Sequence, residues 1–188
     1  MASIQPNLLC LGGSLRPGSY SLATCGSVGE VAENAGFSVE IIDPRELDLP
    51  MYVPDFELEH YAPRHEGIHR LIEAYRRADA MVWVSPTYHG TVSGVFKNTI
   101  DFAEFLDKDS RPYFSSRAVG LIAINDSTPF AAMRDCAREL RAWLAPTQIQ
   151  LGSSDFDAEM KVASERARGR IARLVEELGT FAQVPFRK

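Results

Sequence analysis

The sequence predicts one α/β domain of three layers, in which helices cover both faces of a doubly wound, five-stranded parallel sheet. The 188 residues, with a mass of 20.9 kDa, match the usual size of a single compact domain. Two short, continuously apolar segments, residues 80–84 and 119–124, are typical of strands buried on both faces. Segments with helical spacing separate the predicted strands, as the crossovers of a parallel sheet require. We therefore treat residues 1–188 as a single domain.

The first part of the chain predicts two strands, two helices and a long loop. A strand at residues 8–11 ends at two glycines, and a helix follows at residues 20–35. The second strand, residues 37–42, is rich in β-branched side chains and stops at an Asp-Pro turn. Residues 44–63 carry proline, aromatic and acidic residues without a period, which predicts a loop along a sheet edge. Helical spacing of apolar side chains returns at residues 64–77.

The second part predicts the other three strands and their helices. One of these helices has an apolar face wider than a single sheet contact requires, which predicts a homo-oligomer with Phe96 and Phe102 at the contact. Another begins with Thr128 as its cap and a proline in its first turn. The last strand alternates polar and apolar residues, as an edge strand does. These elements are strand 80–84, helix 93–106, strand 119–124, helix 129–144, strand 147–151 and helix 161–181.

Composition narrows the class of partner. A net charge of −5 and a pI near 5.4 argue against nucleic acid and anionic membranes, and favour a small molecule. No apolar stretch approaches the roughly 20 residues of a membrane span, and no signal peptide is recognisable, so we expect a cytoplasmic location. The three cysteines form no CxxC pair, which argues against disulfides or a cysteine metal site. We predict buried small side chains at Cys10, Cys25 and Cys136.

The loop after the first strand is suited to a phosphate. It leads into the amino terminus of a helix, where free N–H groups and the helix dipole favour an anion. It is not GxGxxG, and although its glycines have Walker A spacing, Ser19 and Tyr20 replace the required Lys and Ser/Thr. The hydroxyls of Ser14, Ser19 and Ser21 and the guanidinium of Arg16 suit a terminal monophosphate instead. Ordinary turn and capping roles are the alternative.

The loop after the third strand predicts a surface for a flat ring. Pro86 stiffens the turn, and Gly90 lets a ligand approach the backbone closely. Between Pro86 and Gly90, the side chains of Tyr88 and His89 offer planar faces, and Thr87 completes the loop. The alternatives are ordinary packing for Tyr88 and a surface or capping imidazole for His89.

Two motifs carry a family resemblance. GSLRPGSYS after the first strand and SPTYHGTVSGVFKNTIDF after the third resemble the NADPH-dependent FMN reductase family of flavodoxin-like proteins, which includes azoreductases, quinone reductases and chromate-reducing enzymes. The similarity extends over nearly the whole chain. It implies that FMN is bound, with the phosphate on the first motif and the isoalloxazine ring on the second. The implied cofactor-binding residues are Ser14, Arg16, Ser19, Tyr20, Ser21, Pro86, Thr87, Tyr88, His89 and Gly90.

The loop after the fourth strand departs from the family pattern. Relatives commonly carry a glycine-rich loop there, whereas this chain reads NDSTPF from Asn125 onward. We predict that Asn125 and Ser127 line the flavin or substrate space, and a helix-capping turn is the alternative.

The resemblance implies an oxidoreductase that passes electrons from NADPH or NADH through FMN to a small acceptor. A quinone, an azo compound, a metal oxyanion and free flavin are all open as acceptors. Because FMN supplies the reactive group, we assign no catalytic side chain. An FMN electron carrier without efficient NAD(P)H turnover is the alternative function. The resemblance also implies a homodimer or homotetramer.

One rival motif predicts a different chemistry. His65-Glu66-Gly67-Ile68-His69 satisfies the H-E-x-x-H pattern of zinc proteases. We expect solvated helix residues and no metal instead, because Gly67 weakens the helix and no third ligand stands out. Lys97 and Asp101, one helical turn apart, predict a solvated or interface ion pair.

Overall fold

A computed structural model, which describes residues 5–182, confirms the predicted α/β architecture. The strands are β1 (Asn7–Gly12), β2 (Ser38–Ile42), β3 (Ala80–Pro86), β4 (Ala118–Ile124) and β5 (Trp143–Leu151). The helices are α1 (Tyr20–Asn34), α2 (Pro44–Leu47), α3 (His65–Arg77), α4 (Gly94–Asp101), α5 (Pro129–Glu139) and α6 (Glu165–Ala182). The five strands are parallel and lie in the order β2-β1-β3-β4-β5, which is the flavodoxin-like order.

Helices on both faces of the sheet produce two apolar cores. α3, α4 and α5 pack on one face, around Trp83 and Phe96, while α1 and α6 pack on the other, around Cys25 and Leu174. All residues of the central strand β3 are buried, as its apolar sequence predicts. Strand order reverses between β1 and β3, so the loops that follow these two strands diverge and leave a crevice at the carboxyl edge.

Residues 44–63, predicted as one irregular loop, contain two short helices, so this prediction is partly wrong. The Asp43 carboxylate caps α2 by accepting a backbone N–H at 3.0 Å, and a 3-10 turn forms at Leu58–Tyr61. The side chain of Asn98 in α4 makes two hydrogen bonds of 2.8 Å with the backbone of residues 50–52. These long-range bonds order the segment, and no local period in the sequence announces them.

The helix predicted at residues 93–106 is divided into α4 and a 3-10 turn, Phe102–Leu106. Its wide apolar face is buried within the same protomer, with Phe96 only 1% exposed and Phe102 fully buried. The ring of Tyr61, from the segment that was predicted as a loop, packs on Phe102 with ring centroids 5.5 Å apart. The interpretation of this face as an oligomer contact is therefore wrong, although the oligomeric state itself stays a prediction.

The helix predicted at residues 129–144 is shorter than expected. It ends at Glu139, because β5 already begins at Trp143 and pairs with β4. The Thr128 side chain does not cap this helix. Instead, Oδ1 of Asp126 accepts hydrogen bonds from the Thr128 N–H at 2.8 Å and the Thr128 hydroxyl at 2.6 Å.

The three cysteines are free thiols. Cys10 and Cys25 are buried as predicted, but the prediction is wrong for Cys136, which is only half-buried. Burial raises the pKa of Cys10 to about 12, so the thiol stays protonated at neutral pH. Of the helices formed by residues 5–182, none is both long and apolar enough to cross a membrane.

Candidate functional site

A cavity of about 230 Å³ opens at the carboxyl edge of the sheet, between the loops that follow β1, β3 and β4. Ligands of doubly wound sheets bind in such a crevice. The residues predicted to bind the cofactor that line this cavity are Ser14, Arg16, Ser19, Tyr20, Ser21, Pro86, Tyr88 and Asn125. Four other predicted residues belong to the same loops without lining the cavity, namely Thr87, His89, Gly90 and Ser127. Three further lining residues, Gly18, Ile124 and Met160, were not predicted from the sequence.

The loop after β1 packs tightly against β3 and α4. A Cβ on Gly13 would lie 2.9 Å from the Val84 carbonyl oxygen and 3.1 Å from the Cβ of Phe96, so the position requires glycine. The hydroxyl of Ser93, immediately before α4, donates a hydrogen bond of 2.5 Å to the Gly13 carbonyl. The next residue, Ser14, thereby lies on the cavity wall.

Each of the three serines in this loop keeps an O–H group that can donate to a ligand. Oγ of Ser19 caps α1 by accepting the Leu22 N–H at 3.3 Å, and Oγ of Ser14 accepts the Arg16 N–H at 3.2 Å. An accepting hydroxyl can still donate, so these capping and turn roles are compatible with phosphate binding. Ser21 is 2% exposed, and within residues 5–182 its hydroxyl has no hydrogen-bond partner.

Arg16 and the amino terminus of α1 place positive charge at this end of the cavity. Arg16 is exposed, and its guanidinium forms no ion pair with the described part of the chain. In the described part of the chain it is the one charged residue that lines the cavity. The first turn of α1 contains no acidic residue, so the helix dipole adds to the attraction for an anion. The hydroxyl of the nearly buried Ser21, the helix amino terminus and the Arg16 guanidinium together form a donor set suited to a phosphate dianion.

The loop after β3 closes in a tight turn from Tyr88 to Thr91. His89 has a φ of +50° and Gly90 a φ of +84°, which are the angles of a type I′ turn. The Tyr88 N–H donates to the Thr91 carbonyl at 3.0 Å, and the Thr87 N–H donates to the Ile124 carbonyl at 3.2 Å. These two amides are therefore unavailable to a ligand. The amides of His89 and Gly90 have no acceptor within residues 5–182.

The loop after β4 contains both a cavity-lining residue and a helix-capping turn. Asn125, with a φ of +81°, lines the cavity, and its N–H donates to the Leu151 carbonyl at 2.8 Å. The next residues form the capping turn in which Asp126 binds Thr128. Hydrogen bonds from Thr128 hold the pKa of the Asp126 carboxyl below its ordinary value. Ser127 follows in the same turn, away from the cavity wall.

Met160 closes the cavity from the segment between β5 and α6. No sequence signal marks it, because it is a single methionine in a polar stretch. We predicted the following residues, 161–164, as the start of a helix, but α6 begins only at Glu165. The ring of Phe156 in this segment packs on Tyr20 of α1 with centroids 4.5 Å apart, which holds the segment beside the loop after β1.

This segment is folded around Asp155, which is 5% exposed. Its carboxylate accepts hydrogen bonds from the Gly152 N–H at 2.9 Å, the Ser164 hydroxyl at 2.5 Å and the Arg166 guanidinium at 3.0 Å. Burial alone would raise the pKa of this carboxyl, but the hydrogen bonds and the charge of Arg166 outweigh burial and hold the pKa below its ordinary value. Asp155 is thus an ionised centre that orders the chain on both sides of Met160.

The H-E-x-x-H segment lies at the start of α3, where its glycine packs against α2. The rings of His65 and His69 are 5.9 Å apart on an exposed helix surface. A Cβ on Gly67 would lie 1.8 Å from the Leu47 carbonyl oxygen, so this glycine lets α3 approach α2. Residues 5–182 contain no group of three or more His, Cys, Asp or Glu side chains placed to hold a metal ion.

A second cavity, of about 530 Å³, adjoins the loop after β1 through Leu15. It lies between α2 and α4, and several of its residues are apolar and exposed, with Leu15 53% and Met51 74% exposed. The ion pair of Lys97 with Asp101, 2.5 Å in length, lies on α4 and is partly exposed. The cavity is lined by Leu15, Pro44, Arg45, Asp48, Leu49, Met51, Gly94, Val95, Asn98 and Thr99.

Characterised proteins are similar to this chain along most of its length. It is 29% identical over 182 residues to the NADPH-dependent FMN reductase ArsH of Rhizobium meliloti, covering 94% of this chain and 72% of the relative. It is 28% identical over 183 residues to the FMN-dependent NADPH-azoreductase of Staphylococcus saprophyticus, covering 93% and 94%.

Solved structures support the same fold. FerB, a flavoenzyme NAD(P)H:(acceptor) oxidoreductase from Paracoccus denitrificans, superposes with a TM-score of 0.74 at 20% identity, over 94% of this chain and 98% of that one. RosB superposes with a TM-score of 0.76 at 15% identity, over 95% and 79%. The family model described as NADPH-dependent FMN reductase matches residues 6–154, which include the loops after β1, β3 and β4. The chain therefore belongs to the NADPH-dependent FMN reductase family.

Proposed function

We propose that this enzyme, an FMN-dependent NAD(P)H oxidoreductase, binds FMN in the cavity between the β1, β3 and β4 loops and reduces an uncharged planar acceptor, a quinone or an azo compound. The observation that carries the proposal is the donor set at the start of α1. Within residues 5–182, the nearly buried Ser21 has no hydrogen-bond partner for its hydroxyl, and Arg16, beside the helix amino terminus, has no ion-pair partner. These are the groups that a terminal phosphate requires.

The other cavity residues support a place for the flavin ring. Pro86 and Tyr88 line the cavity beside the phosphate-binding end, and Tyr88 is 47% exposed. FMN, when bound, takes up two electrons from a reduced nicotinamide and delivers them to an acceptor. Backbone N–H groups of the loop after β3 are suited to stabilise negative charge on the reduced ring. Those of Thr87 and Tyr88 already have acceptors within the fold, so we assign this role to the amides of His89 and Gly90.

Charge favours an uncharged acceptor over a metal oxyanion. Among residues 5–182, Arg16 is the one charged residue on the cavity wall, and the FMN phosphate uses it. The described residues bring no further Lys or Arg to the cavity to neutralise a second anion, and the whole protein carries a net charge of −5. An exposed aromatic ring beside the flavin site instead suits a flat, apolar molecule. A quinone and an azo compound both meet this requirement.

Anaerobic flavin absorbance tests the proposal. NADPH or NADH should bleach the bound flavin, and a quinone or an azo dye should then restore its colour faster than chromate does. Steady-state rates with NADPH and a quinone should give parallel double-reciprocal lines, because one site used in turn implies a two-stage reaction. Flavin that stays oxidised over minutes with both nucleotides would exclude reductase activity and favour the electron carrier. Faster reoxidation by chromate than by any quinone would contradict the acceptor class.

A further inference from the structure

Ser93 lies at the junction of the two loops that the proposed function assigns to FMN. It is fully buried and immediately precedes α4. Its hydroxyl donates to the Gly13 carbonyl at 2.5 Å and accepts the Phe96 N–H at 3.1 Å. Its own N–H donates to Oγ of Ser85 at 3.2 Å, and the Ser85 hydroxyl donates to the Pro86 carbonyl at 2.9 Å. A continuous set of buried hydrogen bonds thus connects the loop after β1 to the end of β3.

The Gly13 carbonyl sets the direction of the following amide. The Gly13–Ser14 peptide is trans, so its C=O and its N–H point in opposite directions across one rigid plane. Because the C=O points to Ser93 in the interior, the Ser14 N–H points away from Ser93. That N–H has no acceptor within residues 5–182, and Ser14 lines the cofactor cavity. An N–H group held in this way is preorganised for an anion.

The tight packing around Gly13 leaves this peptide little freedom. A Cβ at this position would lie 3.2 Å from the Cα of Ser85 and 2.9 Å from the Val84 carbonyl oxygen. Close approach alone does not choose between two flips of the peptide plane, because either flip keeps the Cα atoms in place. The hydrogen bond from Ser93 to the Gly13 carbonyl favours one orientation of this peptide, since the flipped peptide would leave the Ser93 hydroxyl without an acceptor.

We propose that Ser93 is a positioning residue for FMN, which orients the Ser14 N–H toward the phosphate and fixes the β1 loop relative to the end of β3 that carries Pro86. The inference rests on the proposed FMN site. Ser93 has no predicted contact with the cofactor, so its effect is indirect. It should influence the phosphate more than the ring, because the peptide that it orients lies at the phosphate-binding end.

The test compares Ser93→Ala with a control that loses a buried hydroxyl elsewhere. Thr147→Val removes a hydroxyl that donates to Glu177 at 2.7 Å on the edge strand β5, and Thr147 does not line the cavity. Apoprotein of each variant is titrated with FMN and with riboflavin, by flavin fluorescence, and its thermal stability is measured without ligand. Ser93→Ala should weaken FMN binding roughly tenfold and riboflavin binding by less than about threefold, while Thr147→Val changes neither by more than about twofold.

A spectroscopic readout separates orientation from stability. In wild-type protein the Ser14 amide proton should move downfield when FMN is added, and this shift should be lost or strongly reduced in Ser93→Ala. If Ser93→Ala fails to fold, Ser93→Cys, which keeps a weaker donor of similar size, takes its place in the same titrations. Equal losses for FMN and riboflavin, losses matched by Thr147→Val, or an unchanged Ser14 shift would overturn the inference. Wild-type protein that binds neither flavin would instead refute the proposed function.

Discussion

Arg16→Ala removes the one charged residue that residues 5–182 place on the wall of the proposed FMN cavity. A hydrogen bond to a charged group contributes about 1.5–3 kcal/mol, and the exposure of Arg16 to solvent places its effect near the lower limit. FMN should therefore bind roughly tenfold more weakly to the variant. Riboflavin, which has no phosphate, should lose much less. Titration of apoprotein with both flavins, followed by flavin fluorescence, measures the two effects.

Two further variants sharpen this measurement. Arg16→Lys keeps the charge without the bidentate fork, so its loss for FMN should be smaller than that of Arg16→Ala. Arg138→Ala makes the same change in net charge near the end of α5, where the Arg138 side chain is 74% exposed. Because α5 begins at the carboxyl edge, Arg138 lies toward the opposite end of the sheet, and its variant should bind FMN normally. High salt should reduce the difference between wild type and Arg16→Ala. Equal losses for FMN and riboflavin, or a loss for Arg138→Ala as large as that for Arg16→Ala, would refute the phosphate assignment.

Two other predictions concern assembly and acid stability. Light scattering should give a mass well above 20.9 kDa for the native protein. Met51→Asp should lower that mass, because it places a charge beside the exposed apolar side chain of Leu15. A wild-type monomer at every concentration would contradict the expected homodimer or homotetramer. Asp155→Asn should destabilise the fold at pH 7 by about 2 kcal/mol in urea unfolding. Because the folded-state pKa of Asp155 is lowered, this contribution is present above the unfolded pKa, near 3.9, and is lost as pH falls through the folded value. A difference between Asp155→Asn and wild type that stays constant from pH 7 to about pH 3 would show that the charge of Asp155 is not the cause.

The sequence alone was sufficient to predict the sheet and to group the four polar residues that follow β1 at one place. Apolar runs such as residues 80–84 identify strands buried on both faces, because only a sheet covered by helices on both sides buries such runs. Ser14, Arg16, Ser19 and Ser21 were predictable together because they are close in sequence, in a short loop and the first turn of the helix that follows it.

Contacts between distant segments were decided only by the tertiary structure. Met160 joins the cavity because Asp155 folds its segment and Phe156 packs on Tyr20, and neither effect has a local period in the sequence. The apolar face at residues 92–106 was predicted to contact another protomer because residues 44–63, which pack on it, have no regular pattern in the sequence. Composition and spacing report how a segment prefers to fold and which groups it carries. The particular partner that each group meets depends on chain segments tens of residues away, which only the packed fold brings together.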